Sequence, residues 1–314
     1  MLPAVHTDRE WQAVVWDEPV VRPAAEDIAA RLGLAGAVLR RYPDGSRPVY
    51  EVSGHRVLKL YPTSSAPGSV TEARVLEYLH GRLPVATPEL LACGDYENGW
   101  RYMLMSQLPG AGLAAAWPAI PSPHRDGIAS QVGELLAALH GLDPGPLHPV
   151  LGPADWAGFL AAQRATAVER QREAGLPQAW LSQIEPFLGS VPLTPGRQRA
   201  LLHTEVTREN LMVSPGMWTL SGLLDFETAM AGDRPYEFPA VGLVLARSDP
   251  HLLGRLLTAY EQSFDPRELL AYALLHVHSN LPECLSQLPA PPEPTLDSLA
   301  LTWFSTTKTC SRPT

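Results

Sequence analysis

The sequence predicts an α+β fold in two lobes, a small antiparallel β lobe of residues 1–105 and a larger helical lobe of residues 106–314. Apolar residues alternate with period two in the first part and recur with helical period in the second. Between the two regimes lies the proline-rich stretch 117–123, which cannot continue a helix and marks a joint.

In chain order, residues 37–42, 48–52 and 56–61 read as three strands. The breaks Asp44-Gly45-Ser46 and Ser53-Gly54-His55 carry turn chemistry, which makes the three an antiparallel meander. A helix is expected over 69–81, with Val70, Val75, Leu76 and Leu79 on its apolar side, then strands at 90–93 and 101–105. Beyond the joint, Ile128, Val132, Leu135, Leu136 and Leu139 form a helical stripe that ends before Gly141, and further helices are expected over 154–173 and 177–188. Asp249-Pro250 and Asp265-Pro266 each place proline at a first helical position. One β insertion, 210–213 and 218–225 around Ser214-Pro215-Gly216, interrupts the helices, and a second proline cluster at 289–294 separates the last strong helix from the tail. A small sheet lobe, a larger helical lobe and a polar hairpin within the latter make a protein-kinase-like layout.

The 314 residues, 45% hydrophobic, suffice for one large core or two modest ones. A net charge of -9 with only 18% charged residues argues against nucleic acid as the partner and suits a cationic ligand. Three widely spaced cysteines, Cys93, Cys284 and Cys310, do not make a disulfide framework and point to a reducing compartment. Residues 1–10 lack the apolar core of an export signal, and no run reaches the length of a membrane span. The expectation is a cytoplasmic monomer without nucleic-acid or membrane partners.

The chemistry concentrates on the hairpin. Glu205 stands five residues before Asn210, and Asp225 closes the paired strand. Phosphoryl transfer needs a carboxylate to orient and deprotonate the attacking hydroxyl, and oxygen ligands for magnesium; Asn210 and Asp225 have the ligand chemistry.

The pattern His203-x-Glu205-x4-Asn210, Asp225-Phe226-Glu227 and Gly232-Asp233-x2-Tyr236-Glu237 resembles the catalytic segment of aminoglycoside phosphotransferases and choline-kinase-like enzymes, and is closest in flavour to hygromycin kinases. The resemblance spans roughly residues 38–288. It implies Glu205 at the catalytic-base position, where the family has aspartate, Asn210 and Asp225 as Mg2+ ligands, and His203 and Asp233 bracing the loop. It implies that Lys59 touches the phosphates of ATP or GTP with Glu72 as its ion-pair partner, that Ser46 and Val49 belong to a short nucleotide loop, and that Ser106, Gln107 and Leu108 form the hinge that meets the base. Asp233, Glu237, Glu261 and Glu268 are the acidic residues expected near a polycationic substrate.

Plainer alternatives stand beside these. Lys59 in an alternating strand is by default solvated, and Glu72, three residues after Ser69, also fits a capping box, with Glu77 then the fallback partner. His140 is expected to close a helix end. His276 and His278 do not share a helix face and form no metal pair. The Gly110-x-Gly112 stretch lacks the βαβ context of a dinucleotide site. The function expected is phosphoryl transfer to a hydroxyl of a polar, cationic small molecule; the alternative is a catalytically weak relative that binds nucleotide or ligand for regulation.

Overall fold

The structure, a computed structural model, describes residues 2–43, 45–193 and 198–306; Asp44 of the first expected turn and Cys310 lie outside them. The chain forms two compact units, one of residues 1–109 together with 222–228, the other of 110–221 and 229–314. The changeover falls at Pro109, ahead of the proline-rich stretch, and a short hairpin-end segment returns to the first unit.

The first unit opens with two helices that strand alternation does not announce, α1 (Asp8–Val14) and α2 (Glu18–Arg31). Thr7 and Glu10 cap α1 reciprocally, each side chain accepting the other's backbone N–H. In α2, Val21, Ala24, Ala25 and Ile28 fall on one buried face at helical spacing. Strands β1 (Leu39–Arg41), β2 (Val49–Val52) and β3 (Arg56–Tyr61) follow as the expected meander, then α3 (Ala66–Leu79), β4 (Leu90–Asp95) and β5 (Arg101–Ser106). The sheet is antiparallel in the order β1-β2-β3-β5-β4, with Lys59 opposite Val49 on one side and Met103 on the other. Tyr50, Val52, Leu58 and Leu60 join Trp11, Val15, Val21 and Ile28 in one core, so the N-terminal helices cover that face of the sheet.

The second unit begins with β6 (Ala111–Gly112) and α4 (Leu113–Ala116), followed by α5 (Ser122–Gly141), α6 (Trp156–Glu173) and α7 (Gln178–Ser190). The stretch 117–123 lies inside this unit as a single helical turn leading into α5. Strand β7 (Ala200–Leu202) comes next, then β8 (Leu211–Ser214) and β9 (Thr219–Leu223), whose last two residues belong to the first unit, and β10 (Met230–Gly232). Strand β6 pairs with β8 and β8 with β9, while β10 pairs with β7, Met230 opposite Leu202 and Gly232 opposite Ala200. The remaining helices are α8 (Phe238–Ala240), α9 (Pro250–Tyr260), α10 (Pro266–Leu275), α11 (Leu281–Gln287) and α12 (Leu296–Phe304).

Asp249 and Asp265 cap α9 and α10 through their Oδ1 atoms, which accept backbone N–H groups from His251, Leu252 and Arg267. Helices α5 and α9 cross closely at Gly133, where a Cβ would stand 2.2 Å from the Leu256 carbonyl oxygen. The proline cluster at 289–294 leads not into a tail but into α12, which buries Leu299, Trp303 and Phe304. No helix among the described residues is long and apolar enough to cross a membrane.

Candidate active site

Strand β3 is covered on both faces. Leu58 and Leu60 enter the core beneath the N-terminal helices, and by the period of two Lys59 and Tyr61 point the other way. Lys59 is therefore 5% exposed rather than solvated. Its Nζ donates to Glu72 Oε2 at 2.9 Å and to Asp225 Oδ1 at 2.7 Å, and lies 3.3 Å from Glu227 Oε2. Tyr61 Oη also donates to Glu72 Oε2, and the Phe226 backbone N–H donates to Glu72 Oε1 at 3.3 Å. Glu227 is further paired with Arg47 at 3.1 Å.

Burial by itself lowers the pKa of an ammonium, but here the carboxylates of Glu72, Asp225 and Glu227 outweigh it and hold Lys59 well above its usual range. Burial raises Glu72, and Lys59 only partly offsets this. The capping-box alternative for Glu72 falls away on geometry: α3 starts at Ala66, so Ser69 lies inside the helix, where its Oγ donates to the Ala66 carbonyl. Glu77 pairs with Arg74 at 3.1 Å.

Asp225 adopts the left-handed region at φ 66, which aspartate tolerates better than most residues. One oxygen each of Glu72, Asp225 and Glu227 lies within 4.8 Å of the others. With the Lys59 ammonium among them, Asp225, 34% exposed, is the carboxylate of the three most open to solvent. A carboxylate such as that of Asp225 matches magnesium's preference for few protein oxygens supplemented by phosphate and water.

In the second unit the loop 203–210 leaves β7. Glu205 is pinned through its backbone: its N–H donates to His203 Nδ1 at 3.3 Å, and its carbonyl accepts from Thr207 N–H at 2.8 Å and Asn210 Nδ2 at 3.0 Å. That donation leaves Oδ1 as the acceptor atom of the Asn210 amide. Thr204, fully buried, sits at φ 72, a conformation costly for a β-branched residue and one that persists only where the surroundings impose it. Arg208 stacks on Trp117 at 3.9 Å and donates to the Leu245 carbonyl; burial pushes its pKa down to about 10.

The four acidic residues expected near a polycation separate. Glu237 is fully buried, and its Oε2 accepts the His203 backbone N–H at 2.7 Å and faces His140 Nε2 at 3.5 Å. Asp233 is buried and accepts from Tyr272 Oη at 2.9 Å. Glu261 is exposed at the left-handed C-cap of α9. Glu268 lines a cavity of ≈ 450 Å³ with Gln198, Arg234 and Asp265. That cavity is at the Ala200–Gly232 end of the β7–β10 pair, away from His203. Glu237 and Asp233 therefore hold the chain itself.

His140 lies in the last turn of α5, as expected, and is buried there, with Nδ1 2.8 Å from Tyr260 Oη. Among the expected nucleotide residues, Ser46 is exposed and Val49 half-buried on β2. In the hinge, Ser106 N–H donates to the Glu89 carbonyl and Gln107 N–H to the His55 carbonyl, leaving Leu108 as the hinge residue whose N–H is not committed to those two bonds.

A model of the phosphotransferase enzyme family matches residues 38–272. The chain belongs to that family. Among solved structures, this phosphotransferase is similar to aminoglycoside 2'-phosphotransferase-IIIa in its GDP complex, with 16% identity over 81% of this chain and 88% of that one and a TM-score of 0.69. An aminoglycoside-3'-phosphotransferase of type VIII matches at 20% identity over 80% of this chain and 97% of the other, TM-score 0.61. A macrolide 2'-phosphotransferase from Brachybacterium faecium matches at 20% identity over 81% and 87%, TM-score 0.60. At these identities the likeness establishes the kinase-like fold of the phosphotransferase. Sequence reasoning gave no role to Tyr61, Glu227 or His278. Tyr61 and Glu227 each stand two residues from a candidate, Lys59 and Asp225; His278 had no such signal.

Proposed function

We propose that this phosphotransferase moves the terminal phosphoryl group of ATP or GTP to a hydroxyl of a polar, cationic small molecule such as an aminoglycoside. The observation that carries the proposal is the buried Lys59, held by Glu72 and Asp225 at 2.9 and 2.7 Å. A lysine kept charged out of water by carboxylates is suited to meeting nucleotide phosphates, and the same lysine–glutamate pair must be in place in protein kinases.

The chain's own groups divide the work. Lys59 neutralises phosphate oxygens. Glu205 orients the acceptor hydroxyl and takes its proton as the oxygen attacks the terminal phosphorus and the bond to the nucleoside diphosphate breaks. Asn210 and Asp225 would hold magnesium, which when bound offsets the phosphate charge. The cationic acceptor is supported by the net charge of -9 and by the aminoglycoside enzymes among the similar structures.

A catalytically weak, regulatory protein is the alternative, favoured by glutamate at the base position and by the strained Thr204 beside it. The deciding experiment is a panel of aminoglycosides, choline-like amino alcohols, macrolides and sugars, assayed for ATP and GTP consumption with product mass. A phosphorylated acceptor that depends on Lys59 is the expected result. Tight nucleotide binding without transfer to any of them would favour the regulator.

A further inference from the structure

Resting on the phosphotransfer reading above, we infer that His278 is a positioning residue for Glu205, contacting the carboxylate at the end of the longer side chain. Helix α10 ends at Leu275, and His276 turns the chain into extended backbone. The buried His276 ring stacks on Tyr236 with centroids 4.6 Å apart, and its Nδ1 accepts the His278 N–H at 3.2 Å. Tyr236 Oη accepts the Val277 N–H at 3.0 Å, and Arg170 Nη1 donates to the His276 carbonyl at 2.9 Å. These bonds fix the backbone of 276–278 against buried groups. From that anchored turn the half-exposed His278 ring reaches Glu205, its Nε2 3.6 Å from Oε1.

The Glu205 backbone is pinned through both its N–H and its carbonyl, so the place of its carboxylate is set along the side chain. Glutamate has one more rotatable bond than aspartate, and a contact at its carboxylate narrows the geometries the base can take. His278 supplies such a contact. Aspartate at 205, shorter by about 1.5 Å, would not reach the imidazole.

The test is a double-mutant cycle on turnover with the full-length chain. His278→Ala is expected to lower kcat about three- to tenfold, the range of a half-exposed polar contact or somewhat more, with the nucleotide KM unchanged. His278→Gln, which keeps a donor, recovers part of the loss. In a Glu205→Asp background the same His278→Ala change should cost nothing further, because the pair is already broken. The proton resonances of the His278 ring provide a readout that does not depend on turnover, and Glu205→Gln is expected to shift them. Equal losses from His278→Ala in both backgrounds, or a ring indifferent to Glu205→Gln, would overturn the assignment. If the native chain phosphorylates no acceptor, phosphoryl transfer fails as the function, while the ring shift still decides whether His278 holds Glu205.

Discussion

Lys59 Nζ lies 2.7 Å from Asp225 Oδ1, a contact that joins a central strand to a residue 166 positions later in the chain. Lys59 keeps Glu72 and Glu227 within ion-pair distance when Asp225 is neutralised, so Asp225→Asn should leave the fold intact. The proposed loss is of metal charge at the phosphates, worth several kcal/mol, or on the order of a thousandfold in kcat. Circular dichroism and thermal unfolding like those of the native chain, with turnover near background, are the expected outcome. Full activity would remove Asp225 from the chemistry.

Glu237 leads to a different kind of prediction, because its carboxylate binds the chain's own loop. Burial pushes this carboxyl up, but the His140 hydrogen bond and charge, with the His203 contacts, outweigh it and leave its pKa below the usual 4.5. A carboxyl with a lowered folded pKa contributes stability that is present above about pH 4.5 and is lost as pH falls through the folded value. Glu237→Gln should cost about 1–3 kcal/mol at neutral pH and flatten the stability–pH curve below pH 4.5, as measured by chemical denaturation. In kinetics it should lower kcat while leaving the acceptor KM in place, since it braces His203. A large rise in KM alone would place Glu237 at the substrate instead.

His276 titrates in the opposite sense. Burial, with His278 and Arg170 nearby, outweighs Glu237 and a backbone hydrogen bond with Thr204 and pushes its pKa down to about 3 from 6.5. The unfolded chain therefore binds a proton at this side chain that the folded chain refuses, and stability falls as pH drops from 6.5 toward 3. His276→Phe keeps a ring against Tyr236 and removes the ionisable group. It should cost about 1 kcal/mol at pH 8, from the lost acceptor for His278 N–H, yet lose less stability than the native chain between pH 6.5 and pH 4. Parallel stability curves would show that His276 is not buried in its neutral form.

How far the sequence carried the structure depends on how local each determinant is. Alternation and turn chemistry located β2 and β3, and the aspartate–proline pairs located α9 and α10, because those signals sit within a few residues. Helix α2 escaped notice because its buried face is alanine-rich and Pro23 lies inside it. Lys59 and Glu72 were legible as candidates, but the burial of Lys59 comes from packing on both faces of the sheet, which alternation alone cannot report. The helix-end position of His140 was legible, but not its burial, because its partners, Tyr260 and Glu237, lie 120 and 97 residues away. Glu237 and Asp233 looked like substrate acids because their motif carries negative charge. Their burial is set by the folding of the second unit, which no local pattern encodes.

Glu205 is the departure from the family pattern, and the loop around it sets the expected outcome of replacing it. Its N–H is held by His203 and its carbonyl by Thr207 and Asn210, while the preceding Thr204 is buried at φ 72. A backbone so constrained cannot slide forward to compensate for a shorter side chain. Aspartate at this position would withdraw the carboxylate by about 1.5 Å, and a misplacement of about 1 Å can cost on the order of a hundredfold. Glu205→Asp should therefore lose activity although it restores the residue usual in the family. Glu205→Gln keeps the length and removes the base, for a loss of about a hundredfold to ten-thousandfold. Single-turnover rates at saturating nucleotide separate these chemical losses from changes in binding. A strong rise in turnover for Glu205→Asp would mean that the native loop is not built around glutamate, and the regulatory alternative would move ahead of the kinase.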